Sequence, residues 1–398
     1  MDKKKMWLFG GIGLVIFAVA FGYMLANNNW GHTLLIRYGL IAEDVTTVPE
    51  EAGPPSLDDR VEEILANMSD SQKIGQMMMI GIKEKMVEDN VSYLLNEYHI
   101  GGVILFDRNM DTVTQVQLLT GDLQKRAKQA DSLPLFIALD EEGGKVVRMK
   151  QHLSVAPSAE ELGKTGNPQL AVDHAQVTAG ELKSLGINVN FAPDADLALA
   201  NGRSYSRDPA QVISFVTAIG NSYQRDQLLF GLKHFPGIGK SKVDSHLESS
   251  EIMVTRDELE KEDMAPFRSM IRSMNNADFF VMVSHLKYPA LDVENPASLS
   301  PAIIQGILRT QLAFQGLIIT DDLEMGAVAK LYPFDELGVK AVLAGADIVL
   351  VCHEYDHEIA VYNGMLQALR EGRISRQRVD ESVRRILKVK LLHLQSFE

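Results

Sequence analysis

Between Lys233 and His246 the chain reads KHFPGIGKSKVDSH. Asp244 and His246 stand two residues apart there, in a polar stretch with no apolar face to bury. A carboxylate beside an imidazole holds it in one tautomer and raises its basicity. For that pair alone, a solvated loop with an incidental histidine is the plain alternative. Lys233 and His234 fall where the apolar run 228–232 gives out, and Pro236, Gly237 and Gly239 then break any regular structure. A second reactive group, Asp321, follows the apolar segment 316–320 directly. A carboxylate in such a place could be a nucleophile or a metal ligand. Glycoside cleavage with retention needs one carboxylate to attack the anomeric carbon and an acid to protonate the leaving oxygen. A histidine oriented by an aspartate has a pKa suited to both the acid and the base step.

Such groups act only if the chain brings them together. From residue 57 onward, strand-like apolar runs alternate with helix-length segments. The runs are 75–82, 102–106, 135–139, 187–192, 228–232, 279–283, 316–319 and 346–351, eight in all. Separators such as 113–127 and 170–185 carry helical spacing of apolar residues, and 357–369 and 375–392 read as closing helices. Alternation of this kind implies parallel pairing through right-handed crossovers, and eight units point to an α/β fold of the (β/α)8 TIM-barrel type. Polar residues end five of the runs: Asp140, Asp194, Lys233-His234, Ser284-His285 and Asp321-Asp322. In a barrel those carboxyl ends share the face on which active sites are built. A single aspartate there is commonly a helix cap; five such positions are harder to read as caps.

Composition narrows the classes. Of 398 residues, 46% are hydrophobic and 23% charged, and the net charge is −14. With no basic cluster on the folded part, nucleic acid is not an expected partner. Cys352 is the sole cysteine, which excludes an intrachain disulfide or a cysteine-based metal cluster, and its apolar setting implies a buried thiol. The first 26 residues differ in kind. Lys3, Lys4 and Lys5 precede the uncharged stretch 6–26, long enough to span a bilayer as a helix with the lysines cytoplasmic. We expect residues 1–26 to be an uncleaved signal anchor, a cleaved signal peptide being the competing reading. Residues 27–56 read as an extracytoplasmic tether and 57–398 as the barrel domain, exported in either case.

These stretches together resemble the bacterial β-N-acetylglucosaminidases of glycoside hydrolase family 3. Residues 233–246 are similar to that group's KHFPGHG…DSH signature, 139–148 to its DxEGGRVxR segment, and 188–196 to NxNFAPxxD. Residues 203–205 are similar to RSF, 284–290 to the AHI-YPA stretch, and 319–325 to the SDDLSM nucleophile motif. The likeness runs in order from about residue 57 to 392. It implies a barrel in which Asp321 is the nucleophile, His246 the general acid/base and Asp244 its orienting partner. It further implies that Asp140, Arg148, Arg203, Lys233 and His234 hold the terminal sugar, as carboxylates and guanidinium groups can. Many β-glucosidases of the same family take their acid from a following domain; the Asp-x-His on this chain's own loop implies N-acetylglucosamine as the recognised unit.

The expectation is therefore an exo-acting hydrolase of terminal β-linked N-acetylglucosamine on peptidoglycan fragments. It would be membrane-tethered, monomeric, and without cofactor or metal. Two alternatives stand beside it: a phosphorylase of the same family, and a non-catalytic wall-binding barrel. Ile238, where the motif usually has histidine, is the one feature favouring the last; Lys145 and residues 248–250 also depart from the pattern. A metal-dependent hydrolase using His234, His246 and Asp321 is not expected, as no HxH or HExxH spacing links these three.

Overall fold

The computed structural model describes Arg37 and residues 55–198, 202–241 and 251–394. The chain divides into two units, Met1–Pro55 and Ser56–Glu398, and the second of them holds the barrel. Each of the eight apolar runs supplies one strand. The first six are β1 (Met78–Gly81), β2 (Gly102–Ile104), β3 (Phe136–Leu139), β4 (Val189–Asn190), β5 (Leu229–Phe235) and β6 (Phe279–Val283). A small hairpin of β7 (Lys287–Tyr288) and β8 (Asp292–Pro296) follows, and then the last two barrel strands, β9 (Leu317–Asp322) and β10 (Ile348–Val351). All neighbouring pairs in the barrel are parallel and the sheet closes, β10 returning to β1 through Met79↔Leu350. These strands are built on mainly apolar runs rather than strict alternation because both faces are covered, by helices outside and side chains inside. Phe136 on β3 meets Phe280 on β6 edge to face at 5.3 Å, and Phe280 meets Phe191 at 6.0 Å. Strands so far apart in the sheet touch only through the barrel interior, which is packed rather than hollow.

Local sequence sets where the surrounding helices begin. Ser69 caps Asp70–Gln76, and Gln72 returns the bond to the Ser69 backbone. Asn167-Pro168 and Asp208-Pro209 open the helices Pro168–Ser184 and Pro209–Arg225, each a capping side chain followed by a residue with no N–H to lose. The expected closing helices are Tyr355–Arg370 and Arg376–His393. Cys352 is free and buried, as its setting implies.

Two features depart from the sequence reading. Strand β5 does not stop at Leu232 but continues through Lys233 and His234 to Phe235. Their polar side chains do not end it because each finds a buried acidic partner, and the backbone stays paired, Asp194 bridging to Lys233 and Phe235 to Val283. The antiparallel pairing of β7 with β8 is the second, since no apolar periodicity announces it. Among the described residues no helix is long and apolar enough to cross a membrane; the segment 6–26, read as an anchor, lies outside them.

Candidate active site

At the carboxyl end of the barrel a cavity of about 320 Å³ opens, and Asp140, Arg148, Arg203, Lys233, His234 and Asp321 all line it. The topology explains the convergence: Asp140 follows β3, Lys233 and His234 lie in the last three residues of β5, and Asp321 is next to last in β9. A larger cavity, about 430 Å³, lies at the opposite end, where Gln76 precedes β1 and Ser132 precedes β3. None of the candidate residues reaches it, and barrels build their chemistry at the carboxyl end.

Lys233 organises one wall. Its ammonium is buried, 2.6 Å from Asp140 Oδ1 and 2.7 Å from Glu142 Oε1. Arg203 closes on the same glutamate with both prongs, Nε to Oε2 and Nη2 to Oε1, each at 2.8 Å. Burial opposes ionisation of Glu142, but Lys233 and Arg203 outweigh it and hold the carboxyl at about 2. Burial likewise works against the Lys233 and Arg203 charges, and the surrounding carboxylates overcome it, raising both pKa values. The result is a fixed ion-pair lattice whose outer member, Asp140, is still 17% exposed to the cavity. Arg148 touches Asp140 at the longer distance of 3.4 Å, and its backbone N–H donates to Glu141 Oε2 at 2.7 Å. Gly143 and Gly144, at φ +92° and +61°, make the turn that brings Arg148 back beside Asp140; a side chain is strained at such angles.

His234 is set by Asp196, which is fully buried. Asp196 Oδ2 accepts from His234 Nδ1 at 2.7 Å, and Oδ1 accepts from the Ile238 backbone N–H at 2.7 Å. Burial lowers the His234 pKa. A neutral ring that donates through Nδ1 keeps Nε2 as an acceptor. Ile238 is thus more than a missing histidine. Its backbone is held by the same aspartate, while its side chain is buried against the cavity.

Asp321 is partly buried at the floor, and its Oδ1 accepts the Asp322 backbone N–H at 2.9 Å. Burial alone would raise its pKa, but His234, His285, that N–H and Lys233 together bring it below the ordinary carboxylate value. An anionic carboxylate among cations and N–H donors, beside a wall of polyol-binding groups, is equipped to attack an electrophilic sugar carbon. Asp244 and His246, the expected acid/base pair, lie outside the described residues.

Sequence reasoning passes over Glu142 and Asp196, although both sit inside segments it singles out. Glu142 stands two residues from Asp140, the period that returns an extended chain to one face, and this is the available signal. An HExxH spacing does occur outside the candidate residues, at His353-Glu354-Tyr355-Asp356-His357, and His353 lines the same cavity. As a metal motif that spacing needs both histidines one turn apart on a helix, and in this chain the helix starts only at Tyr355. His353 Nε2 lies 3.3 Å from Asp322 Oδ2, and Asp322, Glu324 and His353 group closely enough to suggest a cation. Glu324, however, already accepts the N–H groups of Cys352, His353 and Glu354 and faces His357 Nδ1 at 2.6 Å. In the buried group of Asp194, Asp196 and His234, Asp196 is engaged by His234 Nδ1 and the Ile238 N–H, and Asp194 Oδ1 accepts the Asp196 N–H. Asp194 Oδ2, which has no hydrogen-bond partner among the described residues, faces Arg203 Nη2 at 3.3 Å.

Residues 70–389 match the model of the glycosyl hydrolase family 3 N-terminal domain. Beta-hexosaminidase A of Pseudoalteromonas piscicida is 31% identical over 373 residues, covering 81% of this chain and 61% of that protein. Beta-hexosaminidase LpqI of Mycobacterium tuberculosis is 31% identical over 354 residues, covering 86% and 85% respectively. Among solved structures, a glycoside hydrolase family 3 beta-N-acetylglucosaminidase from Paenibacillus sp. str. FPU-7 superposes with a TM-score of 0.80 at 36% identity. That overlap covers 82% of this chain and 63% of the Paenibacillus one, so this chain spans less than two thirds of two of these three relatives.

Proposed function

The chain belongs to glycosyl hydrolase family 3, and from that premise we propose that it is an exo-acting β-N-acetylglucosaminidase working by double displacement. The observation that carries the reading is the meeting, in one cavity, of an ionised Asp321 with the Asp140, Lys233 and Arg203 lattice and with His234. The lattice and the Nε2 acceptor of His234 take the hydroxyls of the terminal sugar, and Arg148 closes over them. An Asp321 oxygen then attacks the anomeric carbon as the bond to the leaving oxygen breaks. His246, oriented by Asp244, gives that oxygen its proton, and the sugar remains as an ester on Asp321. Water then donates a proton back to His246 and attacks the same carbon, which frees Asp321 and leaves the sugar with its original configuration. The roles of Asp244 and His246 rest on the motif, and those of the six cavity residues on motif and placement together.

The substrate class follows from the relatives, which are named hexosaminidases or N-acetylglucosaminidases. Terminal N-acetylglucosamine on peptidoglycan-derived saccharides is the form of it we propose. A membrane tether at residues 1–26 would present the barrel outside the cytoplasm, a reading that rests on the sequence alone. Residues 56–398 should be assayed on aryl β-N-acetylglucosaminide beside aryl β-glucoside, with Asp321→Asn and His246→Ala as controls. Turnover of the first substrate alone, abolished in the Asp321 variant, is expected. Full activity in that variant would end the proposal, and saccharide binding without turnover by the parent protein would point to a wall-binding barrel.

A further inference from the structure

Asp321 is oriented by a bond from the backbone next to it, and that backbone is itself held by a side chain from another strand. Asp322 N–H donates to Asp321 Oδ1 at 2.9 Å, and on the far side of the same residue Asp322 O faces His285 Nε2 at 2.7 Å. His285 follows β6 and is 1% exposed. A carbonyl oxygen can only accept, so Nε2 carries the hydrogen. The other ring nitrogen, Nδ1, lies 2.7 Å from Ser298 Oγ, and Ser298 is fully buried. In a neutral ring Nδ1 then accepts, and the Ser298 hydroxyl donates. Burial lowers the His285 pKa, which keeps the ring neutral at working pH.

Ser298 reaches that nitrogen because of the hairpin that the sequence does not announce. After β8 the chain turns back on the end of β6, with Ala297 N–H donating to Leu286 O at 2.9 Å and Ser298 N–H to Ser284 O at 3.0 Å. Tyr288, on β7, donates its hydroxyl hydrogen to Gly237 O at 2.9 Å, so the hairpin is also fixed to the loop after β5.

We propose that His285 is a positioning residue for Asp321, locked in its Nε2–H tautomer by the Ser298 hydroxyl and acting by fixing the backbone of Asp322, whose C=O it holds and whose N–H, in the preceding peptide group, holds Asp321. The hydrogen bonds run in one direction, Ser298 to His285 to Asp322, and the Asp322 N–H then fixes the carboxylate oxygen Oδ1. The other carboxylate oxygen, Oδ2, is left for attack. The inference rests on Asp321 being the nucleophile. His285 touches neither that carboxylate nor the sugar in this scheme, so its loss should act on the reaction step more than on binding.

The test replaces His285 by two amides of different reach. In His285→Gln the side-chain amide takes the place of Nε2 and still donates to Asp322 O. In His285→Asn it takes the place of Nδ1 and leaves that carbonyl without a donor. We expect His285→Asn to lose about 10²-fold in kcat/KM, almost all in kcat, since small misplacements of a reacting group cost this much. The acid limb of its pH profile should move up, because Asp321 loses both the fixed N–H and the His285 ring while remaining buried beside His234 and Lys233, with Asp140, Glu142 and Asp322 lining the same cavity. His285→Gln should recover most of the rate. Ser298→Ala, which frees the tautomer, should lose about tenfold, as expected for one buried hydrogen bond, and shift the limb the same way. Unchanged kcat and an unmoved acid limb in His285→Asn would overturn the inference, as would equal loss in both amides at native melting temperature. If His285→Asn does not fold, Ser298→Ala decides, and wild-type kinetics there overturn the inference. Continued turnover by Asp321→Asn would instead remove the nucleophile assignment beneath it; an inactive Asp321→Asn beside unaffected His285 and Ser298 variants would remove this inference alone.

Discussion

Replacing Lys233 by methionine keeps the length of the stem and removes the ammonium that sits between two carboxylates. Glu142 is the group that registers the loss, being 7% exposed and held at about 2 against an ordinary 4.5. A depressed acid contributes stability above its unfolded pKa and loses it as pH falls through the folded one. For Glu142 that contribution is present above about pH 4.5, and at ~1.4 kcal/mol per unit the whole span amounts to about 3 kcal/mol. Arg203 keeps its two bonds to Glu142 in the variant, but the Asp140–Glu142 repulsion is no longer screened, and breaking one partner from a buried pair costs about 3–5 kcal/mol. We therefore expect Lys233→Met to be destabilised by about 3 kcal/mol at pH 7, which for a domain of this size lowers the melting temperature by about 4 °C. The deficit should shrink on acidification, because Glu142 in the variant takes up a proton at a higher pH than in the parent protein. Circular dichroism during urea unfolding, from pH 8 down to about 2.5, spans the window in which Glu142 takes up its proton and measures both quantities. A deficit below about 1 kcal/mol, or one that stays constant across that range, would show that Lys233 is not the keystone of the lattice.

Three further outcomes follow from the same geometry. Arg203→Lys keeps the charge but cannot grip both oxygens of Glu142 or reach Asp194 as well, so kcat/KM should fall about 10²-fold; parental kinetics would show that the fork is dispensable. Gly237→Ala forces a side chain at φ +126°, where its Cβ would stand 2.7 Å from Asp263 Cβ. We expect a loss of at least about 2 kcal/mol in unfolding experiments, and a neutral result would mean that the loop after β5 adapts. Because Asp321 is held below the ordinary carboxylate value, hydrolysis should not lose its nucleophile until below about pH 4. An acid limb of kcat/KM assigned to Asp321 at pH 5 or above, by comparison of profiles with and without the His246 side chain, would contradict that electrostatic setting.

The eight strands and their parallel order are legible in residue type alone. Each strand is built on an apolar run between helical segments, so the order of buried elements is written directly in the chain. Four residues that share the cavity, Asp140, Lys233, His234 and Asp321, are legible too, because polar groups after such runs in a barrel have one face to go to; Arg148 and Arg203 are reached only through the family resemblance. How those groups are held is not. Glu142 becomes the partner of both Lys233 and Arg203 only when β3, β5 and the loop after β4 close side by side. Asp196 comes to fix His234, 38 residues further along the chain, through the same closure. Strand β5 runs past Leu232 because acids from other strands and loops pair the Lys233 charge and accept from the His234 ring, a condition no local pattern records. The hairpin β7–β8 has too few apolar residues to show a period, yet its fold-back sets Ser298 on His285 and so reaches the neighbour of Asp321. Residue type and local spacing decide which elements form and which groups arrive at the mouth. Ionisation, tautomer and orientation are decided by contacts between residues far apart in the chain, and these exist only in the folded barrel.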